Sequence, residues 1–408
     1  MPVPLTGSTH AAPASASERN RALLETILLN GERLRKARAL LFAGDDRLAA
    51  ADQRLLREAD EALGQGPLSV ADKEKTPPGG DPRDYASLGP YWWPDPESAD
   101  GLPYIHRDGE VNPEVDGYDS GRLRLLCSTA NTLALAYYFS GVEDFADHAA
   151  FLLRAFFLDE RGGMNPHMEY AQAIPGRSQG RGAGIMDARP LCWAVDAVAL
   201  LDESPEWNED DRAGMVAWFG SFLDWMLDSE MGREGRAAEN SHGTWFSVVA
   251  ASLALRVGRA DEARRLLEED VPRHLSGQLE ADGRQPRELA RTLSLNYSLV
   301  NLAGFFDLAT LGEKLGQDWW GWRDGAGRGI RPAFDWLAHQ AFEADSWPYE
   351  QIRPPDPGQW VPLLRVGAER FADAASEERL HGLEGIEWEA ERTNLLYAPS
   401  AWLAGGEA

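Results

Sequence analysis

With 408 residues and 43% hydrophobic content, the chain can bury a sizeable core, as one extended helical domain or as two smaller ones. Its formal net charge of −26, from 40 Lys and Arg against 66 Asp and Glu, excludes nonspecific binding to nucleic acid or anionic membranes, because the long-range field repels both. An anionic substrate must therefore be met by a local cluster of Arg, His and amide groups.

Residues 2–17 are rich in Pro, Ala, Ser and Thr, with neither a basic start nor an apolar core, and read as a flexible tail over 1–18 and not as a secretory signal. The expected location is cytoplasmic for the chain as given, or secreted or periplasmic where a leader has been removed. No apolar run approaches the ~20 residues of a membrane span, so no membrane contact is expected. From Arg19 to Ala62, apolar residues at spacings of three and four, from Leu23 and Ile27 to Leu40 and Leu41, predict two amphipathic helices broken around Gly44. Further helices are predicted at about 121–140, 144–157, 187–201, 210–228, 242–257, 260–269, 294–315 and 331–342. Irregular insertions fall at 67–114 and 162–188, where Gly and Pro are frequent. Few stretches alternate with period two. Antiparallel helix pairs joined by long loops point to an all-α architecture over 19–408, a helical toroid or incomplete α/α barrel. Cys127 and Cys192 lie in apolar helical segments and read as buried thiols, not as a disulfide or metal site.

Five segments carry candidate chemistry. In Glu239-Asn240-Ser241-His242-Gly243-Thr244-Trp245, Asn240 or Ser241 suits an N-cap, which puts His242 in the first turn of a helix, where N–H groups and the helix dipole favour a carboxylate. A plain cap before a buried helix reads equally well there. Glu239 either orients the imidazole near the substrate or is a solvated charge. Arg291 and Tyr297 are six apart and ~120° apart on a continuous helix, so they converge only if the chain is irregular between them. The bland alternatives are a core tyrosine and an Arg291–Glu288 pair. A third segment, Asn165 to Arg189, offers Gln172, Arg181 and Arg189. Its glycines follow a Gly-x-Gly rhythm with no strand run before them, so a hydroxyl-rich ligand fits better than a nucleotide. The last two, around Tyr91-Trp92-Trp93 and Trp347-Pro348-Tyr349, present aromatic faces suited to stacking on sugar rings, although a chain with 15 Trp must also place some of them in its core.

Asp84-Tyr85 through Trp93-Pro94-Asp95, Gly101-Leu102-Pro103-Tyr104, Asn112-Pro113-Glu114, the Gln172 to Arg189 loop, Asn240 to Trp245, Arg291 to Tyr297 and Trp347 to Glu350 together resemble the alginate lyase family of polysaccharide lyases. The resemblance covers about 80–355, and its order of motifs is more specific than any single one. It implies an α/α toroid and β-elimination of an acidic polysaccharide or oligosaccharide, with no cofactor or metal. Tyr297 would be the acid that protonates the leaving oxygen, and His242 the base or a group beside C5. Arg291 would stabilise ionised Tyr297 or the carboxylate. Many relatives carry Asn directly before the His, where this chain has Ser241, leaving Asn240, Gln172 and Arg189 as candidates to neutralise the uronate. Arg181, Glu239, Tyr91, Trp92, Trp93, Trp245, Trp347 and Tyr349 complete the expected substrate contacts. The competing enzyme reading, a glycoside hydrolase, needs two carboxylates facing across the cleft, such as Asp187 and Glu239.

Overall fold

The computed structural model describes residues 24–344 and 346–403; the tail expected over 1–18 lies outside them. Helices α1 (Gly31–Phe42) and α2 (Asp46–Ala62) form the first pair. Asn30 and Asp45 cap them by accepting the N–H groups of Arg33 and Arg47. Between them Gly44 adopts φ +80°, a left-handed turn that breaks the helical period where the sequence reading placed the break. There follow α3 (Ser120–Ser140), α4 (Glu143–Leu153), α5 (Leu191–Leu200), α6 (Glu209–Asp228) and α7 (Glu230–Ala237). Next come α8 (Ser241–Arg256), α9 (Ala260–Gln278), the short α10 (Pro286–Leu289), α11 (Ser294–Lys314) and α12 (Ile330–Phe342). The C-terminal helices are α13 (Trp360–Arg370), α14 (Ala374–His381), α15 (Thr393–Leu396) and α16 (Ser400–Leu403).

Two classes of helix explain the layers. α3, α5, α8 and α11 are apolar around most of their circumference and bury it, whereas α2, α6 and α9 keep a charged face outside. Inner helices pack in sequence, α3 on α5, α5 on α8 and α8 on α11, while α2, α4, α6, α9 and α12 cover them from outside. This is an α/α toroid. Each fully buried Leu or Phe along the inner ring contributes roughly 1.5–3 kcal/mol of transfer free energy, so the ring of helices is where stability concentrates.

The ring meets itself at the chain ends. α15 and α16 pack on α1, Arg54 and Arg392 bind Glu391 and Glu58 at 2.8 and 2.5 Å, and Arg33 donates to the Ala398 carbonyl. Buried Asp196 of α5 accepts the backbone N–H groups of Ile27, Leu28 and Leu29, fixing the segment that leads into α1.

Observed elements depart from the expected ones: residues 24–30, expected in the first helix, are not helical, and the short α7 and α10 were not expected. α9 runs past the expected end at 269 to Gln278, straight through Pro272, because His274, Leu275 and Gln278 beyond it are buried and their packing outweighs a proline cost of about 3 kcal/mol. The helices after Phe342 were not expected. The insertions hold short strands, β1 (Ala86–Leu88), β2 (Trp92–Trp93), β3 (Ile105–His106) and β4 (Tyr170–Ala173), with β1 parallel to β4 and β2 antiparallel to β3. Both insertions gather over the N-terminal ends of α3, α8 and α11: Ala86 exchanges hydrogen bonds with Asp119 before α3, and Asp108 reaches Thr292 before α11. Cys127 and Cys192 are buried free thiols. No helix among the described residues is long and apolar enough to cross a membrane.

Candidate active site

The start of α8 supplies the imidazole. Asn240 is its N-cap, and its Oδ1 accepts the His242 backbone N–H at 3.2 Å while lying 3.1 Å from Nδ1 of the same residue. An amide oxygen that accepts one N–H accepts the second too, so Nδ1 carries the ring proton and Nε2 keeps its lone pair. Burial, then the charges of Arg181 and Arg291, push His242 down to about 4, so the ring is neutral at pH 7. Ser241 is buried, and its N–H donates to Oε1 of Glu288 at 2.8 Å, tying α8 to α10. Burial raises the Glu288 carboxyl, and its Oε2 has no partner among the described residues.

The chain between α10 and α11 is irregular, which is the condition under which Arg291 and Tyr297 meet. Tyr297 sits in the first turn of α11, and the Arg291 guanidinium lies 4.0 Å from its ring centroid. Arg291 does not pair with Glu288. Its Nε donates to the two Asp108 oxygens at 2.9 and 3.1 Å and its Nη2 to Oδ1 at 2.5 Å, while the Thr292 N–H and hydroxyl donate to Oδ2. Burial would raise the Asp108 carboxyl, yet Arg291 and Thr292 hold it below its ordinary value. The Tyr297 hydroxyl is buried without a hydrogen bond of normal geometry, and Tyr91 stands edge-on to the ring at 6.4 Å. Burial first, then Tyr91, push this phenol well above 10 against the pull of Arg291, so it is protonated at rest.

β4 supplies the amide. Gln172 adopts φ +49°, a conformation that L residues hold only when their surroundings over-determine it. Three bonds do so: its N–H donates to Ser87 Oγ at 2.7 Å, Nε2 donates to Asp187 at 2.9 Å, and Oε1 accepts from Arg181 Nη2 at 2.7 Å. Asp187 also accepts from Ser87 and Tyr85, at 2.5 and 3.1 Å. Arg181 is thus aimed by a relay from the buried carboxylate, its charge is felt by His242, and its Nε is buried without a partner. The glycines of this loop serve close packing: a Cβ on Gly184 would stand 2.6 Å from Ala171, and one on Gly182 2.6 Å from Gly235. Strand β4 does precede them, contrary to the reading from sequence, but no phosphate loop follows it.

The family model for alginate lyases matches residues 69–347. The chain belongs to the alginate lyase family. It is a polysaccharide lyase. A crystallised alginate lyase from Bacteroides ovatus is 37% identical, with 92% of this chain and 99% of that one covered and a TM-score of 0.88. Alginate lyase A1-III from Sphingomonas species A1 shares the fold at 18% identity, with 93% and 98% covered and a TM-score of 0.58. No curated protein matches the chain.

In this lyase, Asn240, His242, Arg291, Tyr297, Gln172, Arg181 and Tyr91 come together as one cluster. Trp92 and Trp93 lie on the hairpin beside it, each with a guanidinium over its ring, Arg177 at 5.3 Å and Arg107 at 5.1 Å. Other expected contacts lie elsewhere. Trp245 is 6% exposed, donates to the Val300 carbonyl and carries Arg189 stacked at 4.0 Å, so both belong to the interior of the ring. Trp347 donates to Ser294 Oγ and packs with Tyr349 and Trp336, bracing the start of α11. Gln351, two residues on, accepts the Leu295 N–H and acts as a cap from outside the helix. Glu239 is exposed and pairs with Arg287, a solvated charge. His106, Asp108 and Glu288 were missed as members of the cluster, since the two-residue strands around His106 leave no periodic signal. Among the described residues no group of three or more His, Cys, Asp or Glu side chains is placed to hold a metal ion.

Proposed function

We propose that this lyase cleaves a 1,4-linked polyuronate, alginate first among the candidates and glucuronan next, by β-elimination that leaves a 4,5-unsaturated uronate. The observation that carries the reading is the gathering of three groups: the Tyr297 phenol against Arg291, the His242 imidazole with its Nδ1 held by Asn240, and the Arg181 guanidinium with donors to spare. Elimination needs those three things: a group to take the C5 proton, a group to protonate the leaving C4 oxygen, and donors on the carboxylate as charge develops there. Arg181, aimed by Gln172 and Asp187, is the proposed neutraliser, since Asn240 is occupied with His242 and Arg189 lies against Trp245. In guluronate the two groups leave from opposite faces, which suits His242 Nε2 as base and Tyr297 as acid. In mannuronate or glucuronate they leave from one face, so Tyr297 serves both steps, with the Arg291 guanidinium against its ring to stabilise the phenolate.

A tetrasaccharide complex of a His→Ala variant of A1-III supports an oligosaccharide as ligand for this fold. The hydrolase alternative loses its carboxylate pair: Asp187 is buried under Tyr85, Ser87 and Gln172, while Glu239 is out in solvent with Arg287. The test is an absorbance screen against polymannuronate, polyguluronate and glucuronan. A near-ultraviolet rise marks the unsaturated product, and new reducing ends without that rise would overturn the reading.

A further inference from the structure

We infer that His106 is a substrate-binding residue for the uronate unit adjoining the one that reacts, donating from one ring nitrogen to that unit's carboxylate and accepting a sugar hydroxyl at the other. The inference rests on the polyuronate reading above. His106 ends β3 on the hairpin beside the site, and its side chain is exposed. Its ring is held only by aromatic contacts, tilted against Trp92 at 5.2 Å and edge-on to Tyr91 at 6.4 Å, and neither nitrogen hydrogen-bonds the protein among the described residues. An imidazole fixed in orientation with both nitrogens free is equipped to bind something that arrives.

The charges facing it say what. Asp108, then Arg291 and Arg181, act on the ring by charge, and Asp108 is already engaged by Arg291, which leaves the Arg181 guanidinium free to meet an anion. An acidic group is therefore welcome beside His106 in a molecule whose net charge is −26. Position separates it from the chemistry. The Tyr91 ring is edge-on to both His106 and Tyr297, at 6.4 Å each, and no ring contact joins those two among the described residues, so the imidazole is placed at the neighbour of the unit whose leaving oxygen Tyr297 protonates. Contacts remote from the bond being broken bind ground state and transition state alike, so they act on KM and leave kcat in place.

Steady-state kinetics on oligouronates of increasing length, with the full chain, test this. His106→Phe keeps the packing on Trp92 and Tyr91 but removes both polar atoms, and is expected to raise KM about tenfold with kcat within about twofold. His106→Gln restores a donor and an acceptor and should recover most of that loss, and the His106→Phe penalty should vanish on the shortest cleavable oligomer if it leaves the adjoining position empty. A KM that does not move in His106→Phe, or a loss confined to kcat, overturns the assignment. Wild-type activity with an unmoved KM removes this inference alone, whereas wild-type inactivity on every polyuronate removes the functional reading and this one with it.

Discussion

Tyr297 carries a buried hydroxyl whose nearest polar neighbour is Tyr91 and which has no hydrogen bond of normal geometry, so its proton is free to go to the leaving oxygen. Tyr297→Phe should then lower kcat by about 10³-fold, the range of a lost general acid, while leaving Tm unchanged or slightly higher because an unsatisfied polar group has gone. Initial rates and thermal melts on the same preparation check both halves, and a rate loss below about tenfold contradicts the acid role. Arg181→Ala should cost at least about 100-fold in kcat/KM, whereas Arg259→Ala, at an exposed pair with Asp224, should stay within about twofold. Equal losses at the two positions would mean that mean field and not a focused site binds the polymer. That Asn240, His242, Arg291 and Tyr297 gather in one place was legible in the sequence, because each lies in a compact motif of polar and titratable residue types. Asp108 was not, since its partner Arg291 is 183 residues away and nothing local announces the pair. Nor could composition tell Trp92, beside the cluster, from Trp245, inside the ring: an indole has the same sequence signature in both places.

The two helices that present His242 and Tyr297 each have a first-turn N–H held by a side chain from another segment, in α8 beside its own cap Asn240. Glu288 of α10 takes the N–H of Ser241 at the head of α8, and Gln351 takes that of Leu295 at the head of α11. Glu288→Ala leaves a buried donor unsatisfied, and should destabilise the fold by about 1–3 kcal/mol in urea titrations and reduce kcat as His242 loses its footing. Glu288→Gln keeps an acceptor and should cost less than about 1 kcal/mol; equal destabilisation by both would show that the negative charge, not the hydrogen bond, matters. Periodicity of three and four made α3, α6, α8, α11 and α12 readable to within a residue or so, because their apolar faces are long. Two-residue strands such as β2 and β3 have no period to detect, and the end of α9 is set by what His274 and Gln278 pack against, a tertiary fact.

At the level of the whole molecule, two buried neutral histidines make the fold acid-sensitive. Burial holds His242 at about 4 and His274 at about 3, against roughly 6.5 in an unfolded chain. Their contribution is complete above 6.5 and is lost as the pH falls towards those folded values, because below 6.5 the unfolded state binds protons that the folded state refuses. Each should add a slope of about 1.4 kcal/mol per pH unit across that window, visible as a decline in the urea midpoint between pH 7 and 5. His274→Gln should flatten the decline, and an unaltered slope in that variant would rule His274 out as a source. The toroid itself was readable as a succession of helix pairs, but its closure was not, since Arg54 and Glu391 are 337 residues apart. That closure sets a clock on biosynthesis. At ~5–20 residues per second a ribosome needs on the order of 20–70 s to add those residues, and until then the first hairpin has no permanent neighbour on one side. The emerging chain must carry an unsealed seam for most of its own synthesis, so chaperone demand should peak with α1 and α2 and end abruptly when the last few dozen residues leave the exit tunnel.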